Sequence, residues 1–585
     1  MKKRKTPSPT NRRTFLGAVG GATAAAVVTN VVGLPALSVL TEPNSYAADI
    51  GPHGAGARAE RAEEIRQRVA EAESKVRIPQ HQDNGDEARY ANKIGNFSKC
   101  LKHDPETGEV DLHAYEALIA AISSGRFSDF EALATNGHFG CADPTRQRRL
   151  VNPESGYAFD LEGTDSHQLA LRPAPAFASA QEAGEMVELY WMALLRDINF
   201  ADYANSATVQ AAADDLSNLS DFRGPKIGGR VTPQTLFRDN YPGCLNGPYI
   251  SQFLLQPVGF GAQRIDTRIQ TVSPNVDYMT HFTDWLDVQN GCNTPPIPIT
   301  DSFVFCRNGR DLAHYVHIDA LFQAYFVACM NLLGHGYLAN AGNPYGRVVD
   351  GGAGRPRNPA IDPNGSLAQV GFGTFGGPAI LTLVCEPATR ALKDVWFQKW
   401  LVHRRLRPEE FGGRVEVQRV GRRTYPFHHD LTQTSKVLSS ISSQFGSHLL
   451  PIAFPEGSPM HTSYGAGHAT VAGAAVTMLK ALFDESQVIQ NPMVPNPHDG
   501  GQTLIPYVAP PGEPPLTVGG ELNKIASNVS QGRNIAGVHW RTDATESNEL
   551  GEAAAISILR DMRPTFNEPF NGLTFTKFDG TTFTV

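Results

Sequence analysis

Lys399-Trp400-Leu401-Val402-His403-Arg404-Arg405-Leu406-Arg407-Pro408 packs four cations and a histidine into ten residues. Helical spacing leads into it, first over Ala379–Val384 and then from Thr389, and predicts helix as far as Arg407. In such a helix Lys399, His403 and Arg407 stand at i, i+4 and i+8, broadly on one face. A lysine offers a point charge and an arginine a planar fork, so the face suits an oxyanion. Taken alone, the run equally describes a solvated basic helix.

Two later segments share the same character. In His461-Thr462-Ser463-Tyr464-Gly465-Ala466-Gly467-His468-Ala469-Thr470, glycines open a helix predicted from about Thr470 to Phe483. The free amides and dipole at a helix start seat an anion, and His468 stands there as a proton carrier. In Arg533-Asn534-Ile535-Ala536-Gly537-Val538-His539-Trp540-Arg541-Thr542-Asp543, a helix running from Val538 would set Asp543 one turn beyond His539. Asp543 could then orient that imidazole. By themselves these are a glycine-rich turn with a histidine and a histidine packed on Trp540.

Outward from these motifs the pattern stays helical. Met186, Leu189, Tyr190, Ala193 and Leu194 recur at helical spacing within 182–203, and helix is also expected over 311–333, near Leu522 and over 548–561, where Pro564 stops it. Residues 204–310, rich in Pro, Gly and Asn, read as long loops with short helices, and 491–519 as a Pro-rich insertion. Leu573–Phe578 and Thr581–Val585 alternate around Asp579-Gly580, a hairpin signature. The expected fold class is all-α with long loops and a small C-terminal β-hairpin. The expected organisation is a leader over 1–48, a helical and loop-rich region over 49–377, a catalytic helical domain over 378–565 and a hairpin tail over 566–585.

The 585 residues are 41% hydrophobic and 19% charged, which describes a globular chain. Net charge is −8, and the first 48 residues carry six basic groups against Glu42 alone, so the remainder is more acidic still. Nucleic acid is a poor partner for such a surface. Asn11-Arg12-Arg13-Thr14-Phe15-Leu16-Gly17, an uncharged run from Thr14 to Thr41, and Ser45-Tyr46-Ala47 form a twin-arginine-type export signal with a cleavage pattern. They predict an exported, periplasmic or extracellular protein with no stable membrane span after cleavage; the alternative is a retained membrane anchor, since the uncharged run is long enough to span a bilayer. Seven cysteines without a C-x-x-C pair give zinc or redox chemistry little support, and their odd number leaves at least one thiol outside intramolecular disulfides.

The order Lys399-x7-Arg407-Pro408, then Gly467-His468, then Arg533-x5-His539-x3-Asp543 resembles the three-part signature of the vanadium haloperoxidases and type 2 phosphatidic acid phosphatases. The seven-residue step from Lys399 to Arg407, with Ser458-Pro459-Met460-His461, resembles the bromoperoxidase branch. The resemblance implies helical bundles of that type, vanadate as cofactor, and hydrogen peroxide, a halide and a small organic compound as reactants. It implies that Lys399, Arg407, Arg533 and the Gly467 amide hold the oxyanion, that His539 is the vanadium ligand, and that His468 is the acid-base residue, with His461 beside it. A homo-oligomer is implied as well. Bromide or iodide is expected before chloride, although Trp396 resembles the chloroperoxidase branch. Ala466 stands where the family usually has a serine that donates to vanadate. The alternatives are an acid phosphatase on the same scaffold, with His539 as nucleophile, and a non-catalytic envelope protein that kept the fold.

Overall fold

The computed structural model describes residues 54–349 and 358–585, so the expected leader over 1–48 lies outside the described residues. The described residues fall into two units, divided between Lys75 and Val76. In the first, the charged, alanine-rich stretch forms helix α1, Ala55–Glu73, with no buried side chain.

The second unit is mainly helical, and nine of its helices set out the site: α2 (Ala180–Leu195), α3 (Gly309–Tyr315), α4 (Gln323–Gly334), α5 (Gly377–Cys385), α6 (Pro387–Phe397), α7 (Pro408–Arg419), α8 (Gly467–Leu482), α9 (Val518–Ile535) and α10 (Arg541–Met562). Among the described residues no helix is long and apolar enough to cross a membrane. At the centre α8 packs on α9 and α10, and α6 covers α8 and α10. Small residues permit the closest of these approaches. A Cβ on Gly551 would lie 1.9 Å from the Thr470 carbonyl oxygen, and one on Gly473 would lie 2.1 Å from that of Asn548. No side chain fits between α8 and α10 at those points. Every residue of α9 is buried, and so is nearly all of α8.

Strands are short and paired in two-stranded antiparallel ribbons. They are β1 (Val258–Phe260) with β2 (Gln263–Ile265), β3 (Ile269–Val272) with β4 (Ile299–Val304), β5 (Met493–Pro495) with β6 (Leu504–Pro506), and β7 (Thr574–Thr576) with β8 (Thr582–Thr584). The last is the hairpin expected from Asp579-Gly580, with Phe575 opposite Phe583. The other three lie in segments that read as loops, because strands this short leave too little alternation to recognise. One disulfide, Cys141–Cys292, closes a separation of 151 residues, and the other five cysteines are free.

Two long helices expected from the sequence are broken, and both breaks face the site. The stretch 311–333 is not continuous: α3 ends at Tyr315, α4 begins at Gln323, and the turn between them carries the Val316 carbonyl and Asp319. The helix expected up to Arg407 stops earlier. After α6 the chain widens into a π-type turn over Gln398–His403, and Arg404 takes a left-handed conformation at φ 43°. Arg407 is then extended, and Pro408, which has no amide hydrogen to lose, opens α7. Lys399, His403 and Arg407 therefore do not share a helix face.

Candidate active site

Arg407 is fixed by its place at the start of α7, where its amide donates to the Glu410 carboxylate at 2.7 Å. Its fully buried guanidinium reaches two other chain segments. Nη1 donates to the Val538 carbonyl at 2.7 Å and lies 2.9 Å from His539 Nε2, Nε donates to the His461 carbonyl at 2.9 Å, and Nη2 lies 2.9 Å from His461 Nδ1. Lys399, also fully buried, donates to the carbonyls of Thr462 and Ser463 at 2.8 and 2.9 Å, and its ammonium stands 5.6 Å from the centre of the Trp396 ring. Arg533 closes α9, donates to the Val316 carbonyl at 2.8 Å and lies over Phe454, while its Nε is buried without a partner.

His539 precedes α10 rather than lying on it, because the helix starts at Arg541. Asp543, on the first turn of α10, reaches back. Its Oδ2 accepts the Trp540 amide at 3.2 Å and sits 2.8 Å from His539 Nδ1. Oδ2 also takes the Ser463 hydroxyl, and Oδ1 accepts from Arg405 at 2.8 Å. A carboxylate can only accept, so Nδ1 carries the proton and Nε2 presents its lone pair to the cations.

His468 is the second residue of α8, and its Nε2 lies 3.0 Å from Asp319 in the break between α3 and α4. The first intrahelical bond of α8 runs from Thr470 to the Ala466 carbonyl, so the Gly467 and His468 amides precede the helical ladder. The Ala466 amide is turned away to the Ser547 hydroxyl at 2.8 Å. His461 packs on Trp396 with ring centres 4.7 Å apart. Lys399, Arg407, His461, Ala466, Gly467, His468, Arg533, His539 and Asp543 thus come together around one point. His403 does not: both of its ring nitrogens are unpartnered, and the ring meets Tyr464 edge-on. Sequence reasoning missed Asp319 and the Val316 carbonyl, because an unbroken helix gave no reason for either to turn inward.

The electrostatics are lopsided. Among the described residues Lys399, Arg407 and Arg533 make no salt bridge. Burial, and then the neighbouring Arg407, holds the Lys399 ammonium well below its ordinary value. Burial also pulls Arg407 down to about 9, with Arg533 adding repulsion, and pulls Arg533 down to about 10. His539 and His461 are held well below the usual imidazole range, by burial first and by these cations next, so both are neutral. Burial alone would raise the Asp319 carboxyl, but the facing His468 and Arg533 keep it below its ordinary value. Buried cations without a salt-bridge partner, an unpartnered guanidinium nitrogen and a neutral imidazole with a directed lone pair suit a multiply charged oxyanion.

The chain is similar to known proteins along most of its length. Residues 440–568 match the model of the VCPO second helical-bundle domain. A vanadium-dependent bromoperoxidase of Corallina pilulifera is 33% identical over 587 residues, spanning 86% of this chain and 94% of the relative. Another of that name, from Ascophyllum nodosum, is 33% identical over 515 residues, spanning 84% of this chain and 87% of the relative. The solved homohexameric structure of the second vanadate-dependent bromoperoxidase of Ascophyllum nodosum superposes with a TM-score of 0.82 at 30% identity, covering 91% of this chain and 90% of that one.

Proposed function

This chain belongs to the vanadium-dependent bromoperoxidase family, and from that premise we propose that its cationic cradle holds vanadate and that the enzyme oxidises bromide or iodide, before chloride, with hydrogen peroxide to hypohalous acid. The enzyme is an oxidoreductase. The observation that carries the proposal is the grouping of three buried, unpaired cations around His539 Nε2.

Bound vanadate supplies Lewis acidity toward peroxide without any need to change oxidation state. His539 offers Nε2 as its ligand, and Asp543 holds the ring in that tautomer. Arg407, Arg533 and Lys399 neutralise the oxyanion, joined by the Gly467 amide at the start of α8. These donors are already in place and need little reorganisation. His468 has Nε2 committed to Asp319, which leaves Nδ1 to take and return a proton as peroxide enters and oxidised halide departs. His461 lines the cradle between Arg407 and Trp396. Small organic compounds would then be halogenated by the released oxidant. The twin-arginine-type sequence supports export to the periplasm or beyond, and the hexameric relative supports a homo-oligomer.

The test is a halide panel with and without added vanadate. Bromide oxidation that depends on vanadate, and that His539→Ala abolishes, is expected. Inactivity at every vanadate concentration would reject the reading. Hydrolysis of a phosphomonoester by metal-free protein that never shows peroxidase activity would favour the acid phosphatase, which the similarity to bromoperoxidases weighs against.

A further inference from the structure

Away from the cradle, the segment joining α7 to the next helix (Val437–Phe445) contains His428-His429-Asp430. We propose that these three residues bind one divalent transition-metal ion of the zinc type, which ties this segment to the body of the protein. One ligand atom from each residue falls within a 4.8 Å cluster. His428 Nδ1 is 3.7 Å from Asp430 Oδ2, and His429 Nε2 is 3.7 Å from Asp430 Oδ1. Donors about 2.0–2.1 Å from a tetrahedral zinc ion lie roughly 3.3–3.4 Å from one another, so rotation of the two imidazoles has to draw together a cluster that spans up to 4.8 Å.

The fixed member is already built. Asp430 is buried, and its Oδ2 accepts the Ser220 amide at 2.8 Å and the Ser220 hydroxyl at 2.6 Å, which orients the carboxylate and turns Oδ1 toward His429. This is the outer-shell support that metal-bound carboxylates ordinarily have. The mobile members are correctly poised. His428 Nδ1 accepts the Asp430 amide at 3.3 Å, so it carries a lone pair and exchanges only a long hydrogen bond for coordination. The rings of His428 and His429 lie side by side at 4.1 Å, and His429 is 59% exposed, so an ion can reach them directly from water. Two imidazoles and one carboxylate select a borderline ion such as Zn²⁺ over Ca²⁺ or Mg²⁺, and water would complete the tetrahedron. The ion would hold the turn Asp430–Thr434 where it packs on α2.

Equilibrium dialysis of the vanadate-loaded enzyme against Zn²⁺ tests this, with the cradle already occupied. One equivalent of zinc is expected at micromolar concentration, together with a zinc-dependent rise in Tm. His429→Ala, at an exposed position, should weaken binding by about tenfold or more. His428→Ala/His429→Ala should abolish both the equivalent and the Tm response. No zinc uptake by the wild-type enzyme, or uptake and Tm response unchanged in the double variant, would overturn the assignment.

Discussion

Arg405 and Arg407 are two residues apart, both are buried, and they live in opposite electrostatic regimes. Arg405 faces carboxylates: Glu182 and Glu185 of α2 and Asp543 of α10. Burial alone would weaken its hold on a proton, but those charges raise it above even the ordinary arginine value. Arg541 is treated alike, with Glu188 of α2 at 2.8 Å and Asp239 at 3.3 Å. Arg407 faces carbonyls, imidazoles and other cations, and is pulled down to about 9. One buried arginine completes a charge network, and the other leaves a network open. In the proposed function the charge missing from the open network is the ligand's, and Asp543 bridges the two, with one oxygen on Arg405 and the other at His539.

The largest effect should come from removing the closed network. Arg405→Ala leaves Glu182, Glu185 and one oxygen of Asp543 buried without their cation, and truncating one partner of a buried pair costs about 3–5 kcal/mol. Chemical denaturation should report that loss with or without vanadate. Arg407→Gln keeps hydrogen-bond donors for the carbonyls of His461 and Val538 but removes a repelled charge. The oxyanion-free variant should therefore lose much less stability than Arg405→Ala, while its vanadate affinity collapses. Equal stability losses in the two variants would erase the distinction between them.

A finer cut falls on the shared residue. Asp543→Asn keeps the shape but removes the charge that serves both networks. Outer-shell partners of metal-bound histidines are worth about 10–100-fold in affinity or activity, and a loss in that range is expected for vanadate binding. The change should be larger in vanadate affinity than in the KM for bromide, since Asp543 acts on the ligand imidazole. A variant that merely unfolds more easily, with vanadate affinity intact, would make Asp543 part of the closed network alone.

The sequence exposed the open network far better than the closed one. Lys399, Arg407, His468, Arg533 and His539 sit in three ordered motifs that together resemble a known oxyanion-binding signature, and the glycines before α8 mark its start. The closed network has no local signature. Glu182, Glu185 and Glu188 belong to no motif, yet all are buried, because their partners arrive from 223, 220 and 353 positions along the chain. The breaks at Val316–Phe322 and at Gln398–His403 were illegible for a related reason. Helical periodicity continues through both, and only tertiary hydrogen bonds, such as Arg533 to the Val316 carbonyl and Lys399 to Thr462 and Ser463, make the interrupted forms preferable.

The smallest expected change sharpens the open side. Ala466 is the N-cap of α8, with extended backbone at φ −86° and ψ 121°, and it supplies no side-chain cap. Serine is a preferred residue there, and its hydroxyl can accept an amide of the first turn while donating its own hydrogen to the bound oxyanion. Ala466→Ser should therefore do two separable things. The cap should stabilise the oxyanion-free protein by about 1 kcal/mol, read as a higher denaturation midpoint. The donated bond, made to a charged acceptor, should tighten vanadate binding roughly tenfold or more, read by titrating metal-free enzyme back to activity. A rise in stability with no gain in affinity would mean that residue 466 faces the helix and not the ligand. The oxyanion would then sit against Arg407, Arg533 and Lys399, clear of the start of α8, and the Gly467 amide would lose its assigned role with it.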